Sequence, residues 1–352
     1  MKPITLKIED TLMDAVKAIE ESPYRTVIVT DDEGKLIGSL TDGDIRRSLL
    51  KKGSLDTKLE NVMNKNPISV NQDKSSEYMF KIMQETNVMS LAVIDSDHKF
   101  VDLIHLKELS KINNLPYTKI GFSFAVIMAG GEGKRLRPLT ENLPKPMIEI
   151  DGIPLLERQI NKLSDIGIKK IYISVNYLSD VIENHFKDGS KYGVEILYLK
   201  ESHKLGTAGS LSLLPETPEN SILVMNGDVL TNSNFKNLFE FHNTNNATMT
   251  VSSIDFKVTI PYGVIREENG FIKKLEEKPT HRFFCNAGIY AISPSAIKLI
   301  SKDSFFDMTD LVELCLNEKL PVAVFPIHEY WSDIGTPNDL EKARNFFLNQ
   351  QV

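Results

Sequence analysis

The residues best suited to chemistry gather in one stretch. It reads Met128-Ala129-Gly130-Gly131-Glu132-Gly133-Lys134-Arg135-Leu136-Arg137-Pro138-Leu139-Thr140, followed by Pro144-Lys145-Pro146-Met147. Glycines directly after an apolar run let backbone N–H groups approach phosphate oxygens closely. Two familiar phosphate loops do not fit. A P-loop needs Ser or Thr after Lys134, and Arg135 stands there; a dinucleotide fingerprint begun at Gly131 needs Gly at 136, and Leu136 stands there. A glycine loop alone also serves as a tight turn. Here Arg135, Arg137 and Lys145 add three cations within eleven residues, which suits a polyphosphate ligand.

Further along, Asp228 follows the apolar run Ile222–Met225, and Asp333 sits in a similar turn of small residues. A lone Asp at a strand end is usually a turn former or helix cap. Two such carboxylates meeting at one point would instead hold Mg²⁺ as hard oxygen ligands. Glu277-Lys278 precedes Pro279 and reads locally as a solvated charged turn. The seven histidines are scattered without metal-site spacing, Cys285 has no paired base in sequence, and Trp331 reads as a packing residue.

These residues need a scaffold, and from Phe124 onward the pattern alternates strand and helix. Strand Phe124–Met128 leads into the glycine loop. A helix around Leu155, Leu156, Ile160 and Leu163 ends at Gly167. Strand Ile171–Val175, a helix near Ser179–Phe186, strand Val194–Leu199 and strand Ile222–Met225 follow. This alternation predicts an α/β domain with a largely parallel sheet, and ligands of such sheets bind at the carboxyl ends of the strands.

The block resembles the opening motif of sugar-1-phosphate nucleotidyltransferases. Further segments stand in that family's order: Leu205-Gly206-Thr207-Ala208-Gly209, Asn226-Gly227-Asp228, Tyr262-Gly263, Glu276-Glu277-Lys278-Pro279, Asn286-Ala287-Gly288 and Trp331-Ser332-Asp333-Ile334-Gly335-Thr336-Pro337. The resemblance implies a Rossmann-like domain with a mixed, largely parallel sheet over residues 124–352. It implies that Ala129, Gly130, Gly131, Glu132 and Gly133 cradle a nucleotide while Thr207, Ala208 and Gly209 face its base. Gly263, Glu277, Asn286 and Gly288 would line the sugar site. Asp228 and Asp333 would converge on Mg²⁺, and Arg135, Lys145 and Lys278 would be the catalytic cations. Val175-Asn176-Tyr177-Leu178, with the Leu205–Gly209 segment, is most similar to mannose-1-phosphate guanylyltransferases. Transferases of this kind that carry a CBS tandem are similar to glucosamine-1-phosphate guanylyltransferases of nonulosonate pathways. The expected substrates are therefore a nucleoside triphosphate, GTP favoured, and a hexose- or hexosamine-1-phosphate. Uridylyl, thymidylyl or cytidylyl transfer is the alternative within the family. A catalytically silent nucleotide-sensing subunit is the alternative outside it, and the presence of all five charged residues weighs against that.

The first third of the chain repeats. A gapless shift of 64 residues lays Ile4-Thr5-Leu6 on Ile68-Ser69-Val70, Val27 and Val29 on Leu91 and Val93, and Asp31 on Asp95. Each unit reads as strand, helix, strand, acidic turn, strand, helix. Residues 1–116, as repeats of about 1–57 and 58–116, resemble an α+β tandem pair of CBS domains. Gly38-Ser39-Leu40-Thr41-Asp42-Gly43-Asp44-Ile45 is the best local marker. The resemblance places a nucleotide phosphate on Thr41 and its ribose on Asp44, the nucleotide being an adenine one in many members. His105 and Glu108 replace this pair in the second repeat, so that site is degenerate. Locally, Thr41 also reads as a helix cap. Residues 117–123 are the expected linker.

Composition narrows the rest. The net charge is -7 and neither half of the chain is basic, which argues against a nucleic-acid binder. No apolar run reaches membrane-spanning length and no signal segment opens the chain. Two cysteines exclude a disulfide scaffold, so a cytoplasmic setting is expected. CBS pairs commonly associate, so a homo-oligomer is expected as well.

Overall fold

A computed structural model describes residues 4–348 apart from 23, 52, 53, 87, 107, 110–120 and 303. The chain divides into two compact units, Met1–Ile120 and Gly121–Val352. Most of the expected 117–123 linker lies outside the described residues.

In the first unit the 64-residue shift reappears as hydrogen-bond register. Strand Thr5–Leu6 lies parallel to Thr26–Thr30, pairing Thr5 with Ile28, and Leu36–Thr41 lies antiparallel beyond. Strand Ser69–Asn71 lies parallel to Ser90–Ile94, pairing Ser69 with Ala92, and Phe100–His105 lies antiparallel beyond. Each repeat has one bulge, at Val29/Thr30 and at Val93/Ile94. The repeats join through paired bonds: Leu36 N–H donates to the His98 carbonyl and Phe100 N–H to the Gly34 carbonyl, each 3.0 Å. Ile28, Ala92 and Leu103 form a small core between them.

The second unit carries a seven-stranded sheet. Strand Ala125–Met128 has Lys170–Val175 parallel on one side, with Glu195–Lys200 parallel beyond it. Strand Ile222–Asn226 runs parallel on its other side. The chain therefore builds outward in one direction and then returns to the opposite flank of its first strand. Such a switch opens a crevice at the carboxyl ends of the two strands that flank it. Beyond Ile222–Asn226 come Thr280–Ile292 and Met249–Thr259, antiparallel, and finally Val322–Ile327, parallel to Met249–Thr259. The sheet is mixed with a parallel core.

Alternation along the first strand explains why both faces are covered. Ala125 and Ile127 pack with Leu156, Ile160 and Leu163 of helix Leu155–Asp165. Phe124 and Val126 pack with Leu311 and Cys315 of helix Met308–Asn317. Successive side chains point to opposite faces, so one short strand serves two cores. Among the described residues, no helix is long and apolar enough to cross a membrane.

Candidate functional site

Register sets the site. Met128 pairs with Asn226 at the ends of adjacent parallel strands. The glycine loop and the Asn226-Gly227-Asp228 turn therefore leave the sheet side by side, at the crevice. Gly227 donates its N–H to the Met128 carbonyl at 2.8 Å, and a Cβ on it would lie 2.8 Å from that same oxygen. Only glycine lets the two turns approach this closely.

The glycine loop ends at Gly133, whose φ is +63°. A Cβ there would come within 3.0 Å of both Lys145 Cβ and Thr140 Cγ2. Residues Lys134–Leu136 then form a short 3-10 turn carrying Arg135, and Lys145–Met147 form a second one. Lys145 is buried beneath the loop, whereas Arg135 is exposed. Gly131 has open space around it, and Lys134 is paired with Glu132 at 3.1 Å.

Asp333 reaches the same place by a two-stranded ladder. Strand Val229–Thr231 pairs antiparallel with Trp331–Asp333, Val229 facing Asp333. Ile334 N–H donates to the Asp228 carbonyl at 3.0 Å. The Lys145 ammonium donates to Asp228 Oδ2 and lies 3.5 Å from Asp333 Oδ1. Arg135 closes the group, its Nη2 being 3.2 Å from where a Gly335 Cβ would stand, beside Asp333. Two cations and two carboxylates thus share one cleft. Burial pushes the Asp333 carboxyl up, and the neighbouring Asp228 charge adds to this; Lys145 and Arg135 oppose it. Asp228 Oδ1 is buried without a hydrogen-bond partner, and Asp333 Oδ1 is buried with only the Lys145 ammonium at 3.5 Å. Hard carboxylate oxygens left in that condition fit a divalent cation.

The remaining expected residues fall in three places. Thr207 donates its N–H and hydroxyl to Asp307 Oδ1 at 3.0 and 3.3 Å. Ala208 is fully buried, and its N–H and that of Gly209 donate to the Phe306 carbonyl at 2.9 and 2.8 Å. These three residues are therefore bound into the protein, and their outward surface is small. Asn286 donates Nδ2 to the Tyr290 hydroxyl at 2.8 Å and accepts from Gly288 N–H at 2.9 Å. Gly288, with φ +68°, lies against Asn226, so the Asn286 and Asp228 turns touch. Gly263, Glu277 and Lys278 are exposed on a β-ribbon, with Glu277 against Gly263. Trp331 packs, donating Nε1–H to the Ala287 carbonyl at 2.9 Å.

In the first unit Thr41 caps helix Asp42–Leu50. Its N–H and hydroxyl donate to Asp44 Oδ2 at 2.8 and 2.7 Å, while Arg47 donates to Asp44 Oδ1 at 2.6 Å. Thr11 with Asp14 repeats the same box. The cap is thus a local device of this chain, independent of any ligand. At the corresponding positions of the second repeat, His105 stacks on Tyr24 of the first repeat, and the Tyr24 hydroxyl donates to Glu108 at 2.7 Å. That bond and burial hold the phenol up at about 12.

Two positioning residues, Gln159 and Glu201, escaped the motif reading, and a third, Tyr177, entered it only as part of a segment without a role. Gln159 donates Nε2 to the Asn226 and Val229 carbonyls at 2.9 and 2.6 Å, bracing the turn that bears Asp228. A polar residue inside the apolar stripe of its helix was the available signal. Glu201 accepts from Ser174 and from Leu205 N–H at 2.5 and 3.0 Å. Tyr177 donates to the Glu141 carbonyl at 2.9 Å. Ser174 and Glu141 are distant in sequence from Glu201 and Tyr177, so no local pattern announces those two bonds.

Comparison with known proteins identifies the family of each unit. Residues 124–350 match the nucleotidyl transferase family, and residues 1–51 and 59–113 match the CBS domain. A mannose-1-phosphate guanyltransferase from Yarrowia lipolytica is 36% identical over 235 residues, covering 64% of each chain. A mannose-1-phosphate guanylyltransferase from Mycobacterium tuberculosis is 31% identical over 227 residues, covering 62% of this chain and 63% of that one. The chain thus spans less than two thirds of these relatives' length. A crystal structure from Bacillus anthracis, described as a glucose-1-phosphate thymidylyltransferase, superposes with TM-score 0.50 at 23% identity. It covers 63% of this chain and 94% of its own, and speaks for the fold alone. The chain belongs to the nucleotidyl transferase family, with a pair of CBS domains ahead of its transferase unit.

Proposed function

We propose that this protein is a sugar-1-phosphate nucleotidyltransferase that uses GTP and Mg²⁺. The observation carrying this reading is the cleft at the sheet's switch point, where Lys145 joins Asp228 to Asp333 and Arg135 stands beside them. The names of the guanylyltransferase relatives support GTP and a hexose- or hexosamine-1-phosphate.

In the proposed reaction a sugar-1-phosphate oxygen forms a bond to the α-phosphorus of the triphosphate. The bond from that phosphorus to the β-phosphate bridging oxygen breaks, and pyrophosphate leaves with the electron pair. The attacking phosphate is already anionic, so no strong base is needed. The barrier lies in bringing two polyanions together, which positioned cations overcome in a partly dry cleft. The backbone from Ala129 to Gly133 receives the triphosphate, and Arg135 holds the end that becomes pyrophosphate. Lys145 and Lys278 serve the phosphates nearer the attack. Glu277, Asn286, Gly263 and Gly288 serve the sugar, and Thr207, Ala208 and Gly209 form the floor beneath the base. Mg²⁺ held by Asp228 and Asp333 would supply charge neutralisation at the α-phosphate. The CBS unit takes a regulatory adenine nucleotide at Thr41 and Asp44, and the protein works in the cytoplasm.

Purified full-length chain should release pyrophosphate fastest with GTP, across a panel of GTP, UTP, dTTP and CTP against common sugar-1-phosphates. No release with any pair would overturn the activity. Faster turnover with another triphosphate would overturn the guanine preference alone.

A further inference from the structure

Helix Leu155–Asp165 covers one face of the sheet and also lines a cavity. Arg158 and Gln159 stand four and three residues before Lys162, so both neighbour it on the helix surface. These three residues border a cavity of about 370 Å³, whose other wall includes Met225, Val229 and Thr231. Met225 and Val229 lie on either side of the turn that bears Asp228. Neither Lys162 nor Arg158 has a part in the site at that turn.

The Lys162 ammonium donates to the Thr231 carbonyl at 2.6 Å and lies 5.1 Å from the centre of the Phe235 ring. A carbonyl and a ring face hold a cation weakly compared with a carboxylate. Other lysines are held differently. Lys145 is bound to Asp228 and Asp333, and Glu216 and Glu183 keep Lys170 and Lys200 protonated. At Lys162, burial pulls the ammonium down to about 8 against the opposing Glu329 charge. A half-buried amine at a cavity wall therefore spends part of its time neutral, and a neutral amine is a nucleophile.

We propose that Lys162 is a modification site, acylated at Nζ by a small acyl phosphate that enters this cavity. The neutral nitrogen forms a bond to the acyl carbon. The bond from that carbon to the phosphate oxygen breaks, and phosphate leaves with the electron pair. The surplus proton on nitrogen passes to water. Two observations choose this donor. The cavity has room for a small reagent beside the amine. Arg158 lines it too, is fixed by its bond to the Ile150 carbonyl at 2.5 Å, and suits an anionic leaving group. Asp165 borders the same cavity, so recognition rests on the directed donors of Arg158 rather than on net charge. The product amide keeps one N–H for the Thr231 carbonyl. It removes a positive charge from the ladder of Val229–Thr231 with Trp331–Asp333, which sets Asp333 beside Asp228.

The test is peptide mass spectrometry of the folded full-length chain after timed exposure to acetyl phosphate, from about pH 6.5 to about pH 9.5. At about pH 7.5 roughly a quarter of such an amine is neutral, against about one in a thousand for a lysine at its usual value. Lower basicity offsets part of that advantage, as it does for thiols, so Lys162 should label about tenfold faster than the exposed Lys187 and Lys257. Its rate should level off above about pH 9 while theirs keep rising. Added inorganic phosphate should slow labelling of Lys162 and spare Lys187. Denaturing urea should abolish the preference, because only the fold buries the amine. Equal rates at the three lysines, a Lys162 rate that climbs without levelling, no competition by phosphate, or a preference that survives urea would each overturn the proposal.

Discussion

Asp228 and Asp333, far apart in sequence, stand together because Val229 faces Asp333 across a short ladder and Ile334 donates to the Asp228 carbonyl. Lys145 then spans the two carboxylates. Removing Lys145 leaves two partly buried like charges without their bridging cation. Lys145→Met should cost about 1–3 kcal/mol, less than the about 3–5 of a fully buried pair because Asp333 is partly open to water. Mg²⁺ should raise the melting temperature of this variant more than that of wild type, through stabilisation by binding. Equal shifts would show that the two carboxylates do not take the ion.

Arg135 is exposed and belongs to a short turn, so its loss should spare the fold. If it holds charge developing on pyrophosphate, Arg135→Ala should lower kcat about 100- to 1,000-fold. A variant within threefold of wild type would take Arg135 out of the mechanism. Circular dichroism provides the control for folding.

Gly227 and Gly131 should respond differently to the same change. A Cβ at Gly227 would press on the Met128 carbonyl at 2.8 Å, whereas Gly131 has nothing within 4 Å. Gly227→Ala should destabilise by about 1–3 kcal/mol through overpacking and displace Asp228. Gly131→Ala should leave the melting temperature unchanged. Urea titration of both variants checks the contrast.

His242 is buried against Ser221, Thr250 and Ser293, and burial lowers its pKa from 6.5 to about 4. Between those values the unfolded chain takes up a proton that the folded chain refuses. Stability from this residue is therefore full above pH 6.5 and falls as pH drops toward 4. The shift corresponds to a loss on the order of 3 kcal/mol at about 1.4 kcal/mol per unit. His242→Gln should flatten the pH dependence of denaturant stability across this window. An unchanged slope would assign it to other groups.

Thr41 and Thr11 cap their helices in the same way. Thr11→Ala and Thr41→Ala should therefore each cost about 1 kcal/mol. Calorimetric titration with AMP, ADP and ATP should separate them: binding should survive Thr11→Ala and be lost in Thr41→Ala and Asp44→Ala. Equal binding by all would leave Thr41 and Asp44 as a cap alone.

Much of this protein was legible in its sequence because the signals are local. The apolar period of Leu155, Leu156, Ile160 and Leu163 is the helix that covers Ala125 and Ile127. The 64-residue repeat carries its own register, from Thr5 with Ile28 to Ser69 with Ala92. The family, too, was visible in the order of short motifs, since each keeps its residue types within one turn. Other features depend on pairs that no local pattern announces. The contact of Lys145 with both aspartates comes from which strand neighbours which, and from the one-residue register of Val229 against Asp333. Gln159 and Tyr177 act on backbone groups, and Glu201 on the Ser174 hydroxyl, that only folding makes neighbours. The sequence placed Thr207, Ala208 and Gly209 in a binding loop, and only tertiary structure showed their N–H groups already committed to Asp307 and Phe306. Side-chain type follows from sequence, but a site's free donors and acceptors are whatever packing leaves unpaired.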